Sequence, residues 1–260
     1  MFDIEHSIFL SMIPKYEYPP ILIAGLTRAV LFGRRRDFHL DSQACIRDLN
    51  PPLRVLGEEN IPQRGPCLIV MNHYFRLGFH VWWLSMAISS LIPMKHTWLL
   101  ASEWTAPGQW YEPIKSSISR LVSRRLSEVY GFLRMPPMPP RPQDVEARAR
   151  AVRNALSYVE HAPNPVLCIA PEGGDMPGGK LSWPPSGVGR FLCLLAERGL
   201  PIVPVGGWEE AGALTVRFGA AYPLQVPREA KPDMRDHAAA QIVMKSIACL
   251  LPESLRGDFA

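Results

Sequence analysis

Short apolar runs that break off abruptly at polar residues constrain this chain more than any other feature. Residues 66–71 read Pro-Cys-Leu-Ile-Val-Met and stop at Asn72-His73; residues 165–170 read Pro-Val-Leu-Cys-Ile-Ala and stop at Pro171-Glu172-Gly173. A third run, residues 201–205, reads Pro-Ile-Val-Pro-Val. Runs this short, without polar alternation, fit strands buried on both faces, the pattern of a parallel sheet covered by helices. Further strands are predicted at 53–57, 97–101 and 214–218, and helices at 81–92, 114–130, 144–160, 189–198 and 236–250. Asp144 is the expected cap of the third of these helices, and Arg120, Arg124 and Arg125 are expected on the polar side of the second. The proline-dense stretch 135–142 reads as an extended, semi-rigid loop. This alternation predicts an α/β fold, a mixed, largely parallel sheet flanked by helices, with polar residues at strand ends placed where ligands bind.

One core is expected over residues 46–260, preceded by an amphipathic helical segment, 1–45, that associates with membrane. Within that segment the apolar stretch 21–32 is followed by Gly33-Arg34-Arg35-Arg36, the order expected of a helix lying on an anionic membrane surface. A basic turn after a core helix is the plainer alternative. The net charge of +4, from 28 Lys plus Arg against 24 Asp plus Glu, is too small to argue for nucleic acid. Five scattered cysteines fit a reducing compartment. The acidic Asp3 and Glu5 after Met1 speak against a secretory signal, and stretch 79–93 falls short of the ~20 residues of a spanning helix. The expectation is a peripheral protein on the cytoplasmic face of a membrane.

No CxxC pair, HExxH helix, GxSxG elbow or P-loop lysine occurs, and Gly187-Val188-Gly189 is only a fragment of a dinucleotide fingerprint. Neither a metal nor a cofactor is expected. His73 stands out because it ends a buried strand beside two other strand ends; alone, such a histidine is more often structural.

The order of these strand ends resembles the glycerolipid acyltransferases related to 1-acylglycerol-3-phosphate acyltransferase. Their N-H-x-x-x-x-D appears as Asn72-His73 with Gly78 at the aspartate position, their F-P-E-G as Ala170-Pro171-Glu172-Gly173, and their P-[IV]-[VI]-P-V as residues 201–205. Residues 56–62 resemble the lead-in to the histidine, and the likeness spans about residues 50–225. It implies that family's α/β fold, acyl-CoA or acyl-carrier protein as co-substrate, and a lipid-like hydroxyl acceptor at a membrane surface. It also implies a catalytic pair, His73 as base with Asn72, and acceptor binding by Glu172, Gly173 and Gly174.

Three departures bear on the chemistry. Gly78 has no carboxylate to orient His73, and Arg76 nearby would oppose an imidazolium; Asp175 and Glu103 are the candidate replacement carboxylates, although acids so placed are more often loop-exposed or capping. Gly174-Asp175 stands where the family has [TS]-R, so an acid replaces the arginine expected to hold an acceptor phosphate there; the family's other phosphate-binding arginine, normally after a G-x-[IV]-x-[VI] strand, has no match in residues 131–135, and Arg134 or Arg141 is its candidate substitute. The lysine common before the family's later glycine is absent at Pro184-Pro185-Ser186-Gly187. These departures favour a non-phosphomonoester acceptor, such as a lysophospholipid, and keep two rivals open: a lipid- or acyl-CoA-binding relative without turnover, and a thioester hydrolase. Trp82, Trp83, Trp104, Trp110 and Trp183 are candidates for an acyl channel or the bilayer interface, core packing being the simpler role.

Overall fold

The two runs that end in polar motifs lie side by side in the centre of a sheet. In the computed structural model, residues 16–104, 110–138, 141–175, 177–227 and 231–260 are described; the reading of Asp3 and Glu5 falls outside them. The strands are β1 (Arg54–Leu56), β2 (Cys67–Met71), β3 (Thr97–Ala101), β4 (Leu133–Met135), β5 (Val166–Ile169), β6 (Ile202–Glu210) and β7 (Ala213–Phe218). They form one seven-stranded sheet in the order β1-β7-β6-β2-β5-β3-β4. Every neighbouring pair is parallel except the β6–β7 hairpin. Leu68 of β2 sits opposite Leu167 on one side and Ile202 on the other. All residues of β2 and β5 are buried, which is why neither shows polar alternation.

The helices are α1 (Pro20–Phe32), α2 (Phe38–Ile46), α3 (Trp82–Leu91), α4 (Glu112–Tyr130), α5 (Val145–His161), α6 (Val188–Ala196) and α7 (Pro232–Ala248). Asp37 starts α2 by accepting from the N–H groups of His39 and Leu40. Gly33 and Gly131 end α1 and α4 in the left-handed conformation, at φ +62° and +76°. Asp144 precedes α5 but makes no cap; its carboxylate instead accepts from Arg141 Nε at 2.5 Å, so ion pairing wins over capping.

β6 runs five residues beyond the predicted 201–205 because Gly206 and Gly207 let helices approach from both faces. A side chain at Gly206 would meet Leu250 and Leu251 beyond α7, and one at Gly207 would lie 2.2 Å from Leu84 of α3. Helices therefore cover both faces of the sheet. β4 forms where the sequence suggested only the approach to a loop, since its pairing with β3, Leu133 opposite Leu99, is non-local. In α4 Arg120, Arg124 and Arg125 lie outward, and the sequence did not foresee that Ile114, Ile118 and Leu121 also face outward while Ser119, Ser123 and Ser127 face inward.

Candidate active site

β2 carries Asn72 and His73 to the carboxyl edge of the sheet, where β5 and β6 flank them. Asn72 is fully buried, and its carboxamide takes both main-chain groups of Gly207: Nδ2 donates to the carbonyl at 2.9 Å, and the Gly207 N–H donates to Oδ1 at 2.8 Å. A side chain thereby continues the β2–β6 ladder one step past Met71, leaving His73 free to turn out of the sheet. The His73 N–H donates to Glu172 Oε2 at 2.6 Å, and the Ser182 N–H donates to Oε1 at 2.9 Å.

Glu172 is 2% exposed, so its carboxylate ties the β2 and β5 strand ends to residues 181–183. Burial raises its carboxyl above the usual range, and the two N–H donors limit that rise. Residues 181–183 are held in turn from the C-terminal turns. The Leu181 N–H donates to the Leu255 carbonyl at 2.9 Å, and the Trp183 N–H to Asp258 at 3.2 Å. Gly173, at φ +72°, passes under Met138 of the proline loop, where a Cβ would lie 2.7 Å from the Met138 Cγ; Gly174 has open space around it. Of the expected acceptor group, Glu172 thus has both oxygens taken by main chain, and Gly173 and Gly174 supply the open rim.

The two candidate carboxylates part company. Asp175 Oδ1 stands 3.1 Å from His73 Nδ1, although it lies off the ring N–H direction and forms no aligned hydrogen bond. Its side chain is half exposed, whereas that of His73 is 16% exposed. Glu103 is buried against arginines: Arg120 donates to it at 3.0 and 2.6 Å, and Arg141 Nη2 stands 2.7 Å away. Burial raises the Glu103 carboxyl, but the hydrogen bonds from Arg120 and Arg141 overcome this and hold it below the usual range. Its charge is spent on fixing α4 and the proline loop.

Arg76 does not oppose His73. Its guanidinium is paired with Glu209, through Nε to Oε2 and through Nη2 to Oε1 at 2.7 Å, and the same carboxylate accepts from Tyr16 at 2.8 Å and Tyr74 at 3.4 Å. Sequence reasoning missed Glu209, whose only signal was an acid at the end of a strand. Arg134 is exposed on β4, three strand spacings or about 14 Å from β2. With Arg35 and Arg124 it lines a separate surface cavity of about 370 Å³. A larger cavity, about 720 Å³ with Glu197 and Arg235 on its wall, lies where α6 ends and β6 begins, at the edge of the sheet opposite His73. Among the described residues no group of three or more His, Cys, Asp or Glu is arranged to hold a metal ion.

The family model described as Acyltransferase matches residues 52–208, which takes in β1, the β2–β5 centre and the strand end that carries Glu172. The chain belongs to the acyltransferase family. The enzyme's catalytic step is therefore acyl transfer. Among solved structures, the 1-acyl-sn-glycerophosphate (LPA) acyltransferase PlsC from Thermotoga maritima is similar at 16% identity, over 86% of this chain and 79% of that one, with a TM-score of 0.46. That likeness is too slight to carry a role for any residue. No curated protein is similar enough in sequence to match the chain.

Proposed function

We propose that this acyltransferase moves an acyl group from acyl-CoA or acyl-carrier protein to the hydroxyl of a lipid-like acceptor that carries no phosphomonoester, with His73 as general base and Asp175 in the place of the missing motif aspartate. The observation that carries this reading is the 3.1 Å approach of Asp175 Oδ1 to His73 Nδ1. With the ring proton on Nδ1, the nitrogen that Asp175 approaches, Nε2 has a lone pair for the acceptor hydroxyl. As the hydroxyl oxygen attacks the thioester carbonyl, its proton passes to Nε2, and the imidazolium is stabilised by the carboxylate. Collapse of the tetrahedral intermediate breaks the C–S bond, and the same proton goes to the departing thiolate, giving ester and thiol. Contacts of this kind commonly tighten only when substrate is bound, which suits a carboxylate close to its histidine but not yet aligned.

The acceptor class follows from charge. Arg141 is engaged by Glu103 and Asp144, Arg134 lies off the site, and Asp175 itself disfavours an anion beside His73. A neutral or zwitterionic acceptor such as a lysophospholipid fits. We place the enzyme on a membrane surface because α1 leaves Ile21, Leu31 and Phe32 exposed just ahead of Arg34 and Arg35. No helix among the described residues is long and apolar enough to cross a membrane.

The test is thiol release from acyl-CoA with and without lysophospholipid, for the native enzyme and for His73→Ala, Asp175→Asn and the double variant. Acceptor-dependent release should fall about 10²–10⁴-fold in His73→Ala and by at least tenfold in Asp175→Asn, with the double variant no worse than His73→Ala, because the two residues act as a unit. A native rate untouched by Asp175→Asn would remove Asp175 from the mechanism. Release independent of acceptor would mean hydrolysis, and acyl-CoA binding without release would mean the non-catalytic relative, the reading that Gly78 and the misaligned contact favour.

A further inference from the structure

Helix α4 carries an unusual distribution of side chains. Ser119, Ser123 and Ser127 are all buried on its inward face, which turns apolar only in the last turns, at Leu126, Val129 and Tyr130. The Ser119 hydroxyl donates to the Ser116 carbonyl and accepts from the Trp104 N–H, and the Ser123 hydroxyl donates to the Ala101 carbonyl at 2.6 Å. On the opposite face Ile114, Ile118 and Leu121 are more than half exposed, at 59%, 59% and 56%. Their spacing, i, i+4 and i+7, makes one stripe along the helix. A helix packed on a sheet in water shows the reverse arrangement, apolar side in and polar side out. Here Ser119 and Ser123 satisfy their hydroxyls against Trp104, Ser116 and Ala101, whereas the Ser127 hydroxyl is buried without a hydrogen-bond partner, and the apolar stripe is exposed among the described residues.

Charge decides what that partner is. The cavity lined by Arg35, Arg124 and Arg134 lies at the carboxyl end of the stripe, with Ser127, Gly131, Phe132 and one carboxylate, Glu128, also on its wall. Among the described residues neither Arg35 nor Arg134 has a carboxylate partner, and Arg124 shares Glu128 at 3.3 Å with Arg125. Helix α1 packs beside α4 and adds exposed Leu31 and Phe32. An apolar stripe ending in a cationic recess matches the two layers of a bilayer leaflet, acyl chains and anionic headgroups.

We propose that the outer face of α4 is a bilayer docking surface whose Arg35–Arg124–Arg134 recess receives the phosphodiester of an anionic phospholipid. This rests on the membrane reading above and extends it from α1 to α4, and it gives Arg134 a role outside the acyl-transfer site. Ile118 and Leu121 enter the acyl boundary, and the arginines hold the headgroup phosphate by charge-assisted hydrogen bonds.

The test is flotation of the whole chain with vesicles of phosphatidylcholine alone or mixed with phosphatidylglycerol, with inorganic phosphate added as competitor in a separate arm. The native protein should bind the anionic vesicles at least tenfold better, the preference should shrink as salt rises, and millimolar phosphate should not displace it. Ile118→Glu with Leu121→Glu should abolish flotation, and Arg35→Ala with Arg134→Ala should lose about tenfold on anionic vesicles alone. All four positions are exposed, so unchanged melting temperatures verify folding. If the native chain floats and the α4 variants float equally well, the proposal is overturned while membrane binding through α1 stands. Displacement by phosphate overturns the headgroup assignment. If the native chain ignores both vesicles, the membrane reading falls too, and a stable dimer in sedimentation would make the stripe a contact between copies of this chain.

Discussion

Position 78 has φ +81°, a left-handed conformation, and the nearest group to a Cβ built there is Arg76 Nη1 at 3.6 Å. Restoring the motif aspartate is therefore no repair. Gly78→Asp forces an L side chain into a conformation that costs about 1 kcal/mol, and its carboxylate would begin beside Arg76. The expected outcome is a lower melting temperature with no gain in acyl transfer, read by thermal denaturation and by the thiol-release assay. Asp175 was legible from sequence because it follows the Glu172 strand end, and the parallel neighbour of β5 is the strand that delivers His73. Glu103 was equally plausible on element order; that it faces Arg120 and Arg141 depends on side chains from α4 and the proline loop, which no local pattern encodes. Nor does any local pattern pair Asn72 with Gly207, which requires the register of β2 on β6.

Elements were legible where their apolar pattern was dense, as in β2, β5 and α3, and less so where the context is tertiary, as in β4, the second half of β6 and the buried serines of α4. One polar cluster joins three elements: His39 of α2, Ser89 of α3 and Trp98 of β3. His96 Nδ1 donates to the Met94 carbonyl at 2.9 Å, while Nε2 accepts from the Ser89 hydroxyl at 2.9 Å, whose oxygen accepts from Trp98 Nε1 at 2.9 Å. His39 Nδ1 donates to the Ser89 carbonyl at 2.8 Å. Burial lowers the affinity of His96 for a proton below that of a free imidazole, and the Met94 bond only partly opposes this. Between the unfolded value near 6.5 and the lower folded value, the unfolded chain binds more protons. The stabilisation is thus complete above about pH 6.5 and is lost as pH falls through the folded value. Urea midpoints should drop from pH 7 toward pH 5, and His96→Gln should flatten that part of the profile; equal slopes in both proteins would exclude His96 as the cause.

Across the whole molecule, Glu209 joins residues far apart in sequence, the loop after His73 and the residues ahead of α1. It binds Arg76 and Tyr74 of the loop after His73 and Tyr16 ahead of α1, while Tyr16 and Tyr18 pack on Trp83. Burial, with Glu209 adding to it, pushes the Tyr74 phenol up to about 12, and Tyr16 and Tyr74 both donate to the Glu209 carboxylate. Glu209→Gln leaves Arg76 without its counter-ion and should cost about 2–4 kcal/mol. Faster tryptic cleavage at Arg28 and Arg34–Arg36 would accompany that loss if the N-terminal segment loosens together with the loop. Unchanged cleavage would mean that the aromatic contacts hold the segment without Glu209.

The bond between Asn72 and Gly207 also sets a schedule. During synthesis β2 leaves the ribosome long before β6, and domains assemble only as their parts emerge. Until Gly207 has been added, one flank of β2 is bare, the Asn72 amide lacks its partner, and Glu209 is absent from the loop after His73. A half-made chain thus carries His73 without the main-chain partner of Asn72 and without the carboxylate that braces the loop after it.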